Sequence, residues 1–233
     1  MSKHHALAEL VRLRRKDSYP NMIALYEFEG GRWDLDYAVP LVVPWTKSAC
    51  NLDARLMIIA QDWASEQYLV NPNNRTLWRD MLRTHFGQDP HLQTNRNVRK
   101  LLRCFGIKWR DTYATDVSVF IKPGNMTGDV PAALMRHCAV QYTIQQMRIV
   151  QPRMVLFLGT KTFNSIRYAL EKPPLKMTEA SRAAPHTVDD KNEVCIEIFG
   201  VPHTGGSGFA ACGGMQRMLP IWQALAERFR VLV

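Results

Sequence analysis

Short segments rich in apolar residues alternate along this chain with segments of helical spacing. Four of them, at about 56–61, 112–117, 154–159 and 194–199, predict β-strands. A near-continuous apolar run such as the first is typical of a parallel strand covered on both faces. Strands that alternate with helices favour a parallel sheet between helices. The predicted fold class is therefore α/β, a three-layer α/β/α sandwich with a central, mostly parallel four-stranded sheet.

The predicted helices carry residues that are typical of helix ends, in addition to apolar residues at helical spacing. Thr94 is a candidate N-cap for a helix at 94–105, which Gly106 is expected to end. Proline at the start and at the end bounds a second helix at 131–150. Further helices are predicted at 1–18, around 75–86, at 161–170 and in a last segment that ends near residue 230.

The length of 233 residues suits one domain with a substantial core, and no composition shift marks a boundary. We therefore predict a single domain over residues 1–233, with 1–52 as a helical and irregular extension packed on it. The connecting segments at 63–92, 171–192 and 204–209 are expected to be loops, apart from the helical piece in the first. The last of them, Thr204-Gly205-Gly206-Ser207-Gly208-Phe209, is rich in glycine.

A formal net charge of +9 favours a polyanionic partner, most commonly nucleic acid, although a solvated basic surface remains an alternative. No apolar run reaches the roughly 18 residues of a membrane span, and residues 1–16 lack the apolar core of a secretory signal. The five cysteines are widely spaced without a C-x-x-C pair, so we expect no zinc or iron–sulfur site. Reduced cysteines favour a cytoplasmic protein.

Polar residues follow three of the predicted strands. Gln61-Asp62 ends the first, Asp116 the second and His203 the fourth. Carboxyl ends of parallel strands lie at one edge of a sheet, where ligands bind in open α/β folds. A carboxylate and a histidine on opposite walls of one crevice suit the cleavage of a bond in which one fragment gains positive charge and the other gains negative charge. The simpler alternative is that these residues cap helices or turns.

The order of these features resembles the uracil-DNA glycosylase superfamily over roughly residues 54–215. Gln61-Asp62 is similar to the Gln-Asp of that family's first motif, and His203 to the histidine of its second. The closer match lies between residues 94 and 159. It comprises Leu101-Leu102, Gly106-Ile107, the segment from Asp111 to Val117, Cys138, Val150-Gln151-Pro152, and Val155 to Gly159.

This resemblance implies a monomeric, monofunctional enzyme that flips uracil out of single- or double-stranded DNA and hydrolyses its N-glycosidic bond without metal or cofactor, leaving an abasic site. Asp62 would stabilise the oxocarbenium-like sugar and orient the attacking water. The backbone of Gln61 would contact the base, and His203 would donate a hydrogen bond to its carbonyl oxygen. The expected DNA contacts are Lys122 and the loop residues Thr204, Gly205, Gly206, Ser207 and Phe209.

Several positions depart from the family pattern. Asp116 stands where asparagine usually reads uracil, so it would have to be protonated or the base read differently. Trp63 is a candidate for the group that excludes the thymine methyl. Phe209 would wedge into the duplex or, alternatively, pack on the last helix. The candidates for stacking on the base are Tyr68, Phe86 and His91.

Two other functions remain open from the sequence. The first is a glycosylase for another deaminated base, such as hypoxanthine. The second is a non-catalytic DNA-binding member of the same fold, which the altered Asp116 favours and the retention of Asp62 and His203 disfavours.

Overall fold

A parallel four-stranded sheet forms the centre of the protein, and the computed structural model describes residues 1–25, 41–71, 91–182 and 195–232. The strands are β1 (Ile23–Ala24), β2 (Leu56–Ala60), β3 (Tyr113–Asp116), β4 (Phe120–Ile121), β5 (Met154–Leu158) and β6 (Glu197–Val201). The central sheet has the order β3-β2-β5-β6, and each neighbouring pair is parallel. Helices flank it, so the predicted α/β/α class is confirmed. A separate antiparallel pair joins β1 to β4.

The helices connect these strands in the order that the sequence predicts. They are α1 (Lys3–Lys16), α2 (Glu66–Val70), α3 (Gln93–Leu101), α4 (Ala132–Cys138), α5 (Ile144–Val150), α6 (Thr160–Ala169), α7 (Met177–Ala180), α8 (Gly206–Ala211) and α9 (Gly214–Leu232). A π-helical turn at Ala139–Thr143 joins α4 to α5, and 3-10 turns occupy Pro44–Ser48, Leu102–Phe105 and Trp109–Asp111.

The core lies on both faces of the sheet. All five residues of β2 and all five of β5 are buried, as their unbroken apolar runs predict. The extension also contributes, because Leu7, Leu10 and Val11 of α1 belong to the same buried cluster as the strands. Lys3 holds α1 in place, since its Nζ donates to the carbonyls of Leu52 at 2.8 Å and Val150 at 3.0 Å.

Most predicted helix boundaries agree with the structure. Pro131 is the N-cap of α4, and Gly106 ends the turn after α3 in the left-handed conformation with φ 68°. The prediction for Thr94 is wrong, because α3 begins at Gln93 with Leu92 as its N-cap. The predicted helical piece at 75–86 lies outside the described residues.

Two predictions near the fourth strand need correction. The strand was predicted at 194–199, whereas β6 spans Glu197–Val201, because pairing with β5 sets its register and Glu197 is buried opposite Met154. The predicted loop at 204–209 is partly helical, since α8 begins at Gly206. Glycine disfavours helices by roughly 1 kcal/mol, and tertiary packing outweighs that cost here.

Within the described ranges, no helix combines the length and the apolar character that crossing a bilayer requires.

Candidate functional site

A cavity of about 920 Å³ opens at the carboxyl edge of the sheet. Its volume falls in the range of small-molecule sites in proteins. The cavity brings together residues from the ends of β2, β3 and β6, as predicted for this edge. The predicted site residues that line it are Gln61, Asp62, Trp63, Tyr68, Asp116, Lys122, His203, Gly205 and Gly206.

Backbone register brings the two acidic residues onto neighbouring chain segments. Ala60 of β2 pairs with Asp116 of β3 in the parallel ladder. The pairing continues beyond the strand ends, where the Ser118 N–H donates to the Gln61 carbonyl at 2.9 Å. The segment that carries Asp62 is therefore held beside β3 by main-chain hydrogen bonds, and its position does not depend on side chains alone.

Asp62 accepts a hydrogen bond at Oδ1 and forms an ion pair at Oδ2, which has no hydrogen-bond partner among the described residues. The side-chain amide of Gln61 donates from Nε2 to Oδ1 at 2.8 Å. The Lys122 ammonium lies 2.9 Å from Oδ2, and the two side chains are 4% (Lys122) and 8% (Asp62) exposed. The carboxylate is thus fixed in one orientation at the cavity wall.

Lys122 was predicted to contact DNA, and the structure places it differently. Its Nζ is buried against Asp62 and also donates to the Met126 carbonyl at 2.6 Å. Its main chain is fixed as well, since its carbonyl accepts from the Glu66 N–H at 2.9 Å. Lys122 therefore forms an ion pair inside the cavity, and its contact with DNA stays a prediction. This ion-pairing role could not be predicted from the sequence, because lysines are mostly exposed. The one available signal is that the apolar pair Phe120-Ile121 precedes it.

Asp116 is 1% exposed, and its Oδ2 has no hydrogen-bond partner among the described residues. Burial raises the pKa of this carboxyl well above its usual value, and the negative charge of nearby Asp62 raises it further. This raised pKa favours the neutral form of the side chain. A protonated carboxyl carries one donor and one acceptor, so Asp116 can bind a ligand edge that presents both.

His203 follows β6 and is half-buried at the opposite wall. Its Nδ1 lies 2.9 Å from the carbonyl oxygen and 3.2 Å from the amide nitrogen of Gly205. Both contacts use Nδ1, so Nε2 is the ring nitrogen that remains for a ligand. Gly208 permits this arrangement, because a Cβ at that position would lie 2.7 Å from the Cβ of His203.

The two residues after His203 were predicted to contact DNA, but they are buried against α3. The Thr204 hydroxyl donates to the Thr94 carbonyl at 3.3 Å, and its own carbonyl accepts from Asn97 Nδ2 at 2.7 Å. A Cβ on Gly205 would lie 2.1 Å from Thr94 Oγ1. Their role is to anchor the segment that carries His203. Gly206 is the exposed member of the group.

Phe209 was predicted as a wedge or as a packing residue. It is half-buried, packs against the main core and does not line the cavity. A Cβ on Gly214, at the start of α9, would lie 3.6 Å from its ring. This placement agrees with the packing alternative. The side chain of Ser207, another predicted DNA contact, is not among the parts of the chain that the structure describes.

The aromatic candidates for the base separate into two groups. Trp63 and Tyr68 are half-buried and line the cavity. His91 is exposed and does not line it, although its neighbour Leu92 does. Phe86 lies outside the described residues. Of these candidates, Trp63 and Tyr68 are therefore the two that a ligand in the cavity can contact, and Trp45, which was not a candidate, lines the cavity as well.

A second ion pair at the cavity was not predicted from the sequence. Lys161 at the start of α6 pairs with Asp129, and their side chains are 32% and 82% exposed. This pair lowers the pKa of Asp129, mainly through the hydrogen bond from Lys161.

Among the residues that the structure describes, no group of His, Cys, Asp or Glu side chains is arranged to hold a metal ion.

A comparison of the sequence with models of known protein families gives no match, and a comparison with curated proteins gives none either.

Proposed function

We propose that this protein is a DNA glycosylase that removes uracil, in keeping with the resemblance of its motifs to the uracil-DNA glycosylase superfamily. The observation that carries the proposal is the meeting of Asp62, Asp116 and His203 in one cavity at the carboxyl edge of a parallel sheet. A monomer acting on DNA in the cytoplasm is part of the same proposal. The net charge of +9 supports DNA as the partner.

The chemistry begins with an extruded nucleotide whose sugar lies against Asp62. As the glycosidic bond breaks, positive charge develops on the sugar and the carboxylate stabilises it. The contacts from Gln61 and Lys122 fix the carboxylate before the reaction, so little reorganisation is needed. Asp62 also orients the water molecule that attacks C1′.

His203 completes the charge separation on the leaving base. In the tautomer in which Nδ1 accepts from the Gly205 N–H, Nε2 carries the proton and can donate it in a hydrogen bond to the carbonyl oxygen that gains negative charge. A donor that is oriented in advance in this way typically contributes about 3–4 kcal/mol to catalysis.

Asp116 supplies base recognition in its neutral form. Its carbonyl oxygen would accept from N3–H of uracil, and its hydroxyl would donate to O4. Cytosine presents the opposite pattern at these two positions, with an acceptor at N3 and donors on its amino group. Hypoxanthine presents N1–H beside O6, which is the same pattern as uracil, so the neutral carboxyl also supports a hypoxanthine glycosylase as a second candidate.

The direct test is incubation with an oligonucleotide that contains one uracil, followed by alkaline cleavage and gel analysis. We expect product with the unaltered protein and a loss of roughly 100-fold or more in rate for His203→Ala, since its donor acts in the transition state. Asp62→Asn should lose at least as much. Unchanged rates in both variants would contradict the proposal, and binding without product would favour the non-catalytic DNA-binding alternative.

Folding must be checked alongside, because Asp62→Asn leaves the Lys122 ammonium without its charged partner. Breaking a buried ion pair costs about 3–5 kcal/mol, so thermal unfolding should accompany each rate. His203→Ala leaves that pair intact and serves as the cleaner variant. A panel of oligonucleotides with uracil, hypoxanthine or xanthine at one site then separates the two candidate substrates.

A further inference from the structure

Lys122, Asp62 and Gln61 form a chain of contacts that the proposed hydrolysis does not fully use. The Lys122 amine lies 2.9 Å from a carboxylate oxygen, and Gln61 orients the carboxylate through a 2.8 Å hydrogen bond. A nucleophile within hydrogen-bond reach of a base, which a third group orients, is the usual arrangement in covalent catalysis. Here the nucleophile is a primary amine.

The position of the amine separates it from the other lysine at the cavity. The Lys122 side chain is 4% exposed and contacts Asp62, whereas Lys161 is 32% exposed and pairs with Asp129. Burial holds the Lys122 amine beside the carboxylate that would face C1′ of a bound sugar. Amines placed in this way condense with carbonyl groups to form imines.

We propose that Lys122 condenses with the C1′ aldehyde of an abasic deoxyribose and gives the protein an abasic-site lyase activity. The identity of the sugar in the cavity rests on the proposed function, because loss of the base produces this aldehyde in its ring-opened form. The activity is an addition to the monofunctional hydrolysis predicted from the sequence.

The step balances without an oxidant or reductant. Lys122 gives one proton to Asp62, and the neutral amine attacks C1′ to form a carbinolamine. Asp62 returns that proton to the C1′ oxygen, which leaves as water, so that a protonated imine and the Asp62 carboxylate remain. Removal of a C2′ proton by the Asp62 carboxylate expels the 3′ phosphate, and a water molecule hydrolyses the imine to release Lys122.

The test uses a duplex with an abasic site prepared beforehand by another enzyme, so it does not depend on base excision by this protein. The duplex is mixed at saturating concentration with the protein and sodium borohydride, which reduces the imine to a stable amine. We expect a covalent protein–DNA adduct on a denaturing gel, and peptide mass analysis should locate it at Lys122.

Lys122→Arg is the decisive variant, because a guanidinium preserves the ion pair with Asp62 but does not form the imine, so the adduct should disappear. Lys172→Arg is the matched control, because Lys172 is exposed and lies outside the cavity lining, and it should retain the adduct. Asp62→Asn should slow its formation by about 100-fold or more, as expected for loss of a general base. Thermal unfolding verifies that Lys122→Arg is folded.

Absence of an adduct with the unaltered protein overturns the inference, and so does an adduct that persists in folded Lys122→Arg. If that variant fails to fold, mass analysis of the unaltered protein decides, since an adduct at any residue other than Lys122 overturns it. Uracil excision without an adduct removes the lyase activity alone. An adduct without uracil excision supports the lyase activity and contradicts the proposed hydrolysis.

Discussion

Asp116 shows how the state of one proton can decide what a cavity binds. The proposed base recognition needs its neutral form, and burial together with Asp62 raises its pKa well above the usual value. We expect uracil excision to fall as pH rises through this raised pKa, because the ionised carboxylate would repel O4 of the base. Asp116→Asn keeps a donor and an acceptor at all pH values, so its rate should lack this fall. Rates measured between pH 6 and 10 on the uracil oligonucleotide test this expectation.

The same residue makes a separate prediction about stability. Its folded-state pKa lies above the unfolded value of about 3.8, so its contribution is fully present below that value and is lost as pH rises through the folded pKa. In the Asp116→Asn variant, the free energy of unfolding measured with urea should no longer show this fall with rising pH. Asp129 is the control with the opposite sign, because its pKa is lowered and its contribution is lost as pH falls. If the free energy of unfolding of Asp116→Asn falls with pH as much as that of the unaltered protein, other groups cause the fall.

At the scale of residues, the sequence predicts which side chains line the cavity better than it predicts the ion pairs between them. Asp62, Asp116 and His203 could be predicted because each follows a predicted strand, and strand ends of a parallel sheet share an edge. The role of Lys122 could not, since its contact with Asp62 depends on how β4 and the following turn pack. Thr204 and Gly205 were assigned to DNA because a glycine-rich segment says nothing about which surface covers it.

At the scale of elements, the junction between α3 and the segment before α8 holds His203 in place. We expect Gly205→Ala to destabilise the protein by about 1–3 kcal/mol, because its Cβ would lie 2.1 Å from Thr94 Oγ1. Adding Thr94→Ala should recover part of this loss. Gly206→Ala is the control, since nothing lies within 4 Å of its Cβ and its φ of 55° costs about 1–2 kcal/mol.

Urea unfolding of the three single variants and of the double mutants that combine Thr94→Ala with Gly205→Ala or with Gly206→Ala measures the coupling between these positions. No recovery in the double mutant would show that the main chain of Thr94, 3.1 Å from the added Cβ at its nitrogen, makes the dominant contact. Thr94→Ala should leave the cost of Gly206→Ala unchanged.

Element types were predictable where burial is uniform and less so where pairing sets the boundary. The positions of β2 and β5 could be predicted from their apolar runs, because every residue in both strands is buried. The start of β6 was misplaced by three residues relative to Glu197, a charged residue that is buried because Arg228 of α9 binds its carboxylate. Such long-range compensation leaves no mark in the local sequence pattern.

At the scale of the whole molecule, the net charge of +9 predicts that binding to DNA weakens with salt. The logarithm of the binding constant should fall linearly with the logarithm of salt concentration, by about 0.9 per phosphate neutralised. Lys161→Ala should make the slope shallower by roughly one such contact, because Lys161 lies at the cavity. Arg12→Gln should leave the slope unchanged, since Arg12 lies on α1 and does not line the cavity. Fluorescence anisotropy from 50 to 300 mM salt covers the range in which such slopes are commonly resolved; a slope near zero would favour the solvated basic surface.

The order of the strands has a consequence for the protein during its synthesis. Asp62, Asp116 and Lys122 are translated well before β6, while His203 and Gly205 follow that last strand. A ribosome-bound chain that has emerged only as far as residue 200 therefore lacks one wall of the cavity, whatever the rest has folded into. The cavity is therefore complete only after the residues that follow β6 have emerged and folded.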